Sequence, residues 1–356
     1  MNNNKGKVGL INRGNTCFFN SSIQVLSNIP LLTNYIFNNE FETDISNRIN
    51  SHKKGENDEL SKEKQQSISK IIISTDYAKL IRALWTTEYT SLEPKSLHEN
   101  LQRFEPSFSG FMQQDAQECL SFILDALHEG LYYETSIHAS GEIENDMDKL
   151  MVESINKWAE TVSKKYSIIT DIFFGQFYIQ TFSEETSYKY NEIVSTKYEI
   201  FNVLNIEITG NTIYDCLSNF FSAETIDGEY ELDNKMKIKA KRKINIIKSP
   251  QVLIIVLKRF AGNNRFRKLN NTVIFPINTL DISSYCIGYD VSESIYRLKS
   301  AVLHSGSLNG GHYYSYVNHI DGEWYEYNDC TCEKIDIKDN REELFKNGYI
   351  LIYEKK

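Results

Sequence analysis

The sequence predicts an α+β domain. Apolar residues recur at helical spacing through roughly the first half of the chain, whereas alternating or continuous apolar runs of strand length dominate from Asp171 onward. Helices and strands are therefore segregated along the chain, with ample apolar content for a large core.

At 356 residues the chain has room for one large domain or two smaller ones. A net charge of -9 argues against a nucleic-acid backbone or an anionic membrane as partner. Six cysteines, at positions 17, 119, 216, 286, 330 and 332, form no spaced framework. Cys330 and Cys332 make a lone C-x-C, which is not a zinc site without a second pair. Reduced thiols, and with them a cytoplasmic or nuclear location, are expected. The opening Met1-Asn2-Asn3-Asn4-Lys5 lacks a signal peptide's apolar core, and the most continuous apolar run, Val252–Leu257, is far short of a membrane span. The expectation is a soluble monomer with no cofactor, no metal, no nucleic acid and no membrane partner.

The stretch that organises the chain is residues 9–21. A short apolar entry runs into a Gly/Asn turn, then Cys17, then apolar residues at Phe19, Ile23 and Leu26 on one spacing and Phe18, Val25 and Ile29 on another. Asn15 and Thr16 are good cap types, and Pro30 closes the run. Cys17 is thus placed in the first turn of a buried helix, where free N–H groups and the positive end of the dipole favour a thiolate. A lone Cys is more often a small buried hydrophobe, and this stretch alone does not overturn that reading.

Residues 41–75 are dominated by Asn, Ser, Glu and Lys and read as a polar insertion with no core to offer. Tyr77, Leu80, Ile81 and Leu84 restore helical spacing up to Trp85. Residues 106–120 lead into Ile123, Leu124, Leu127 and Leu131, an amphipathic helix with Asp115 and Glu118 on one side of its first turn. Those carboxylates either complement the helix dipole or bind something cationic. Strand spacing follows at residues 172–179 and 201–208, then a basic strand at 236–247 and the buried run Val252–Leu257. The last third is mostly strand, interrupted by the glycine-rich loop 305–311 before His312.

A nucleophilic Cys needs a base, and the base needs a group that fixes its tautomer. His312 is a candidate because Gly310 and Gly311 let backbone or substrate approach it closely. Either Asn328 or Asp329, on the next strand beyond a hairpin, is placed to hold the ring N–H. Asn12, upstream of Cys17, is placed to donate its amide to an oxyanion.

Together with Gln113-Gln114-Asp115-Ala116-Gln117-Glu118, Val256-Leu257-Lys258-Arg259-Phe260, Gly310-Gly311-His312-Tyr313 and residues 324–329, the Cys17 stretch resembles the ubiquitin-specific protease family in order and spacing. The resemblance runs from about Val8 to Tyr353. It implies a papain-like cysteine protease fold in a single catalytic domain: a helical thumb over 8–165 with the polar insertion 41–75, antiparallel β fingers over 170–249, and a β-rich palm over 250–354. Many members clamp zinc with two C-x-x-C pairs at the fingertips. Here no Cys lies between Cys119 and Cys216, and Glu231 and Asn234 stand at the second pair's positions, so the fingers are expected to lack zinc.

By motif position the resemblance implies Cys17 as nucleophile, His312 as base and Asn12 as oxyanion donor. Asn328 falls at the orienting position, with Asp329 supporting it or substituting for it. The implied activity is a deubiquitinating isopeptidase that cuts after the C-terminal Gly-Gly of ubiquitin, with ubiquitin and ubiquitinated proteins as partners. Asp115 and Glu118 match positions that bind the arginine-bearing tail. Phe260, His304, Gly311 and Tyr313 match other ubiquitin-facing positions. Phe18-Phe19 and Cys119 depart from the commoner residues as packing variation. The competing readings are a non-catalytic ubiquitin-binding scaffold and a protease for a ubiquitin-like modifier.

Overall fold

The computed structural model describes residues 5–53, 62–110, 112–184, 192–261, 267–307 and 310–356. Residues 54–61 of the polar insertion, Phe111, and Leu308 and Asn309 of the glycine-rich loop lie outside the described residues.

The first half is helical. α1 (Cys17–Ser27), α2 (Pro30–Phe37), α3 (Asn39–Lys53), α4 (Lys62–Thr86), α5 (Lys95–Phe104), α6 (Ala116–Leu131), α7 (Asp146–Val162) and α8 (Ile168–Phe173) follow one another, with β1 (Gly9–Leu10) and β2 (Ser91–Leu92) pairing in parallel. All eleven residues of α1 are buried, so this helix is the axis of the first half. Pro30 does not merely end α1; it opens α2 from its N1 position, where its missing N–H costs nothing.

Residues 41–75 are not the coreless insertion expected from their composition. They form α3 and the N-terminal half of α4, and Phe41, Ile45, Ile71 and Ile73 belong to the main apolar core. Four well-spaced apolar side chains suffice to seat two otherwise polar helices. Ile172 and Phe173 are also helical rather than strand, because Ser167 and Thr170 form a capping box that starts α8 there.

The second half supplies β3 (Gly175–Ser183), β4 (Ile193–Phe201), β5 (Leu204–Ile206), α9 (Ile213–Phe220), β6 (Glu224–Thr225), β7 (Tyr230–Glu231), β8 (Lys237–Ile238), β9 (Ala240–Lys248) and β10 (Val252–Leu257). It continues with β11 (Phe260–Ala261), β12 (Arg267–Lys268), β13 (Leu280–Asp281), β14 (Ile295–Ser307), β15 (Gly310–Asn318), β16 (Trp324–Asn328), β17 (Thr331–Ile335), α10 (Arg341–Asn347) and β18 (Gly348–Lys355). The large sheet runs β17-β16-β15-β14-β18-β10-β5, with β13 also on β14; a second sheet runs β4-β3-β9-β6.

All six residues of β10 are buried, and they divide by parity. Val252, Ile254 and Val256 join the core shared with the helices, whereas Leu253, Ile255 and Leu257 join a second core on the sheet's other face. A continuous apolar run is what a strand covered on both faces requires. α1 packs on β15, which brings the start of that helix to the start of that strand.

Candidate active site

The turn before α1 is built by one side chain. Asn12 Oδ1 accepts from Gly14 N at 2.9 Å, from Thr16 N at 3.2 Å and from Thr16 Oγ1 at 3.2 Å. Gly14 and Asn15 take the left-handed conformation at φ of 102° and 54°, residue types that tolerate it. Thr16 is the N-cap, yet its hydroxyl turns back to accept from Arg13 N rather than capping forward. The turn therefore delivers Cys17 as the first residue of α1, 3% exposed.

His312 sits two residues into the described part of β15, and its ring hydrogen-bonds the Cys17 side chain. Its Nε2 donates to Asn328 Oδ1 at 2.7 Å. The polarity of that bond is fixed from behind: Asn328 Nδ2 donates to Glu326 Oε1 at 3.1 Å, which leaves only the amide oxygen for the ring. With Nε2 carrying a proton toward Asn328, Nδ1 is the nitrogen left for sulfur. The bond to Cys17 raises the His312 pKa to about 9; burial opposes the rise, and the Asn328 bond and the Cys17 and Asp329 charges add to it.

Asp329 makes no hydrogen bond to the ring. It leaves β16 in the left-handed region, at φ 48°, and its carboxylate accepts from Asn12 Nδ2 at 2.9 Å and Asn20 Nδ2 at 2.8 Å. Its backbone oxygen accepts from Leu10 N at 2.7 Å. Gly9 makes this crossing possible: a Cβ there would lie 2.2 Å from the Cys330 carbonyl carbon. Of the two neighbours left open by the sequence, Asn328 holds the histidine and Asp329 holds Asn12.

Gln113 was not singled out from the sequence. Its side-chain amide pairs with the Gly311 peptide, Nε2 to Gly311 O at 2.5 Å and Gly311 N to Oε1 at 3.1 Å, while Nε2 also stands 3.9 Å from Cys17 Sγ. The signal was present in the Gln-Gln-Asp run just before the α6 cap.

Asp115 is that cap, accepting from Gln117 N at 2.6 Å, and the Tyr349 hydroxyl donates to both carboxylate oxygens at 2.9 and 2.8 Å. Burial raises its pKa against the pull of Tyr349 and the helix N–H groups. Glu118, one turn on, is exposed; partial burial, then Asp115 and Glu105, raise its pKa. Among the described residues neither carboxylate has an ion pair, and of the two only Glu118 is exposed.

Phe260, His304, Tyr313 and Tyr349 form one aromatic cluster, with Phe260 5.1 Å from His304 and 5.0 Å from Tyr349, and His304 4.6 Å from Tyr313. His304 and Tyr313 are 2% and 4% exposed, so both are buried in this structure. Gly311 covers them: a Cβ on it would stand 2.0 Å from His304 Nε2. Burial, then the Lys268 and His312 charges, depress the His304 pKa to about 4, which leaves it neutral and unsuited to be a second base. Arg259, fully buried, donates to the carbonyls of Gly348, Leu269, Asn271 and Phe345 at 2.6 to 3.1 Å and so pins the segment that presents Phe260. Burial lowers its pKa to about 10.

A cysteine at a buried helix start thus faces a histidine whose tautomer is set by an asparagine on a sheet, the order of groups that thiol nucleophilic chemistry requires. The chain belongs to the ubiquitin carboxyl-terminal hydrolase family, whose sequence profile matches residues 8–353. It is 29% identical over 364 aligned residues to ubiquitin carboxyl-terminal hydrolase 2 of Bos taurus, covering 98% of this chain and 55% of the relative. The Homo sapiens protein of the same name matches equally, at 29% identity and the same coverage. The chain spans about half the length of those two relatives. A probable ubiquitin carboxyl-terminal hydrolase of Acanthamoeba polyphaga mimivirus is 27% identical over 99% of this chain and 90% of its own. Among solved structures, the SAGA Ubp8/Sgf11/Sus1/Sgf73 DUB module bound to ubiquitin aldehyde shares the fold, with a TM-score of 0.73 at 22% identity, over 100% of this chain and 71% of the other.

Among the described residues no group of three or more His, Cys, Asp or Glu is placed to hold a metal ion, and no helix is long and apolar enough to cross a membrane.

Proposed function

We propose that the chain is a deubiquitinating cysteine isopeptidase, hydrolysing the bond that follows the C-terminal Gly-Gly of ubiquitin. The single observation that carries this is the placement of His312 between the Cys17 side chain and Asn328 Oδ1. Family membership and the ubiquitin-aldehyde complex of the Ubp8 module support ubiquitin as the partner.

Nδ1 of His312 takes the Cys17 proton, and the sulfur attacks the carbonyl carbon of the terminal glycine as the carbonyl electrons move onto oxygen. Asn12 is the donor for that oxyanion. Nδ2 carries two hydrogens and Asp329 takes one, so the second remains to point at substrate. The tetrahedral intermediate collapses with cleavage of the C–N bond, and imidazolium His312 returns its proton to the departing lysine amine. Water then attacks the thioester and gives a proton to His312; collapse releases the ubiquitin carboxyl group and restores the thiol.

The channel suits two residues without side chains. Gln113 and Gly311 occupy each other's hydrogen-bonding groups across it, and substrate entry exchanges those bonds for bonds to the glycine backbone. Glu118 and Asp115 lie where an arginine of the tail would meet them. In this reading α1 to α8 are the thumb, the β4-β3-β9-β6 sheet the fingers and the large sheet the palm.

A ubiquitin probe bearing a C-terminal electrophile should label the wild-type chain at Cys17 and leave Cys17→Ala unlabelled. Cys17→Ala should also lose turnover of a ubiquitin-fluorophore amide while retaining ubiquitin binding. Binding without labelling of the wild type would identify a scaffold, and labelling only by probes made from another modifier would identify a protease for that modifier.

A further inference from the structure

A cavity of about 460 Å³ opens where α2 and the end of α4 meet the large sheet, lined among others by Pro30, Thr33, Phe37, Trp85, Lys299 and Ile320. No residue of the Cys17 cleft contributes to it. Its wall is mostly apolar, and Phe37 and Ile320 stand exposed at the rim. Trp85 Nε1 is already committed to Ser27, donating to its carbonyl at 3.1 Å and its hydroxyl at 3.0 Å, so the indole offers the cavity carbon surface.

The lining holds two cations, Lys5, which is exposed, and Lys299, which is not, beside the neutral polar residues Asn28, Thr33, Asn34 and Thr86. Lys299 is 5% exposed, and among the described residues it has no hydrogen bond or ion pair. It is the extra residue of a β-bulge: Leu298 pairs with Tyr353 and Ser300 with Ile352, which leaves Lys299 without a partner on β18. Bulges of this kind re-aim a side chain. The charges that influence it are Glu354, Arg297 and Asp321 at a distance, and Asp321 is engaged by Lys7 at 2.7 Å. Burial pushes its pKa below the ordinary lysine value. An ammonium largely withdrawn from water, with Glu354 and Asp321 acting on it only at a distance, is disfavoured, and an anion arriving in the cavity would relieve that.

We propose that this cavity binds a small carboxylic acid with an apolar body, of the medium-chain or aryl type, its carboxylate on Lys299 Nζ and its body against Phe37, Trp85 and Ile320. The volume lies within the range of small-molecule pockets, and the pairing of Lys299, with Lys5 also in the lining, with mostly carbon walls is complementary to an amphipathic anion. The site stands independently of the deubiquitinase reading.

Calorimetric titration of the full chain with octanoate, octanol and octylamine tests it. Octanoate should bind, octanol should bind about tenfold more weakly as one charge-assisted hydrogen bond is lost, and octylamine should not bind. Lys299→Met should bring octanoate to the octanol level while melting no lower than wild type, because it removes an unpaired buried charge. Asn34→Trp, at an exposed lining position, should narrow the mouth and weaken octanoate with Lys299 intact, which keeps the test open if Lys299→Met does not fold. No octanoate binding at millimolar concentration, equal binding of octylamine, or wild-type affinity in both variants would overturn the proposal, as would a peptide with an acidic and an aromatic residue binding where octanoate does not.

Discussion

Both carboxylate oxygens of Asp329 are taken by asparagine amides, Oδ2 by Asn12 at 2.9 Å and Oδ1 by Asn20 at 2.8 Å. The aspartate is therefore a positioning residue for Asn12, the proposed oxyanion donor, and its influence on His312 is through charge alone. Asp329→Asn keeps a residue type that tolerates φ 48° but removes the acceptor charge. It should lower kcat about tenfold to a hundredfold, the usual effect of losing a supporting shell. Asn12→Ala should cost more, about 10²–10³ in kcat. The double variant should be little worse than Asn12→Ala, since the two act through one group. Additive losses in steady-state kinetics would show that Asp329 acts by another route.

The pH profile should report His312. With its pKa raised to about 9, the imidazolium that protonates the leaving amine persists through neutrality, and kcat should fall as pH climbs through that value. Asn328→Ala removes a hydrogen bond that raises the pKa, so the alkaline limb should move to lower pH, further than in Asp329→Asn. The same shift contributes to folding. A group raised from 6.5 to about 9 stabilises fully below 6.5, and that contribution is lost as pH rises through 9. An alkaline limb unmoved by Asn328→Ala would disprove the assignment of the orienting residue.

Gln113 closes over the sulfur by holding Gly311. Removing the bridge should expose Cys17, which is 3% exposed in this structure. Gln113→Ala should accelerate alkylation of Cys17 by iodoacetamide severalfold, measured by mass spectrometry without any substrate present. An unchanged alkylation rate would mean that another group limits access.

Glu118 is exposed and, among the described residues, carries no counter-ion; partial burial and then Asp115 beside it push its pKa up, and an arginine docking there would oppose that. Glu118→Gln should raise KM for a ubiquitin substrate with little change in kcat. The wild-type KM should also rise with salt, because an exposed pair is screened over a Debye length of about 8 Å at physiological ionic strength. Equal salt dependence in wild type and Glu118→Gln would place the arginine elsewhere.

Much of this was legible because single residues carry it. Cys17 opens a helix because a glycine–asparagine turn and helical spacing flank it, and Val252–Leu257 reads as a doubly covered strand from its unbroken apolar run. Residues 41–75 misled because burial there rests on a few side chains, Phe41, Ile45, Ile71 and Ile73, within a polar majority. The division of labour between Asn328 and Asp329 was hidden for a different reason. It depends on where β16 stops and on the left-handed turn at Asp329, a backbone event that adjacent residue types do not announce. Gln113 stands in the sequence only as the first residue of a motif, because a glutamine in a loop has no periodicity to betray its role.

Leu10 N bonds the carbonyl of Asp329, and the Tyr327 hydroxyl donates to the carbonyl of Gly6 at 2.9 Å. Two stretches more than three hundred residues apart thus meet to assemble the reactive corner. Asn328 and Asp329 follow Cys17 by more than three hundred residues, so during synthesis the thiol leaves the ribosome well before the side chains that hold His312 and Asn12. A product terminated before Asn328 would carry Cys17 without the residues that orient His312 and Asn12.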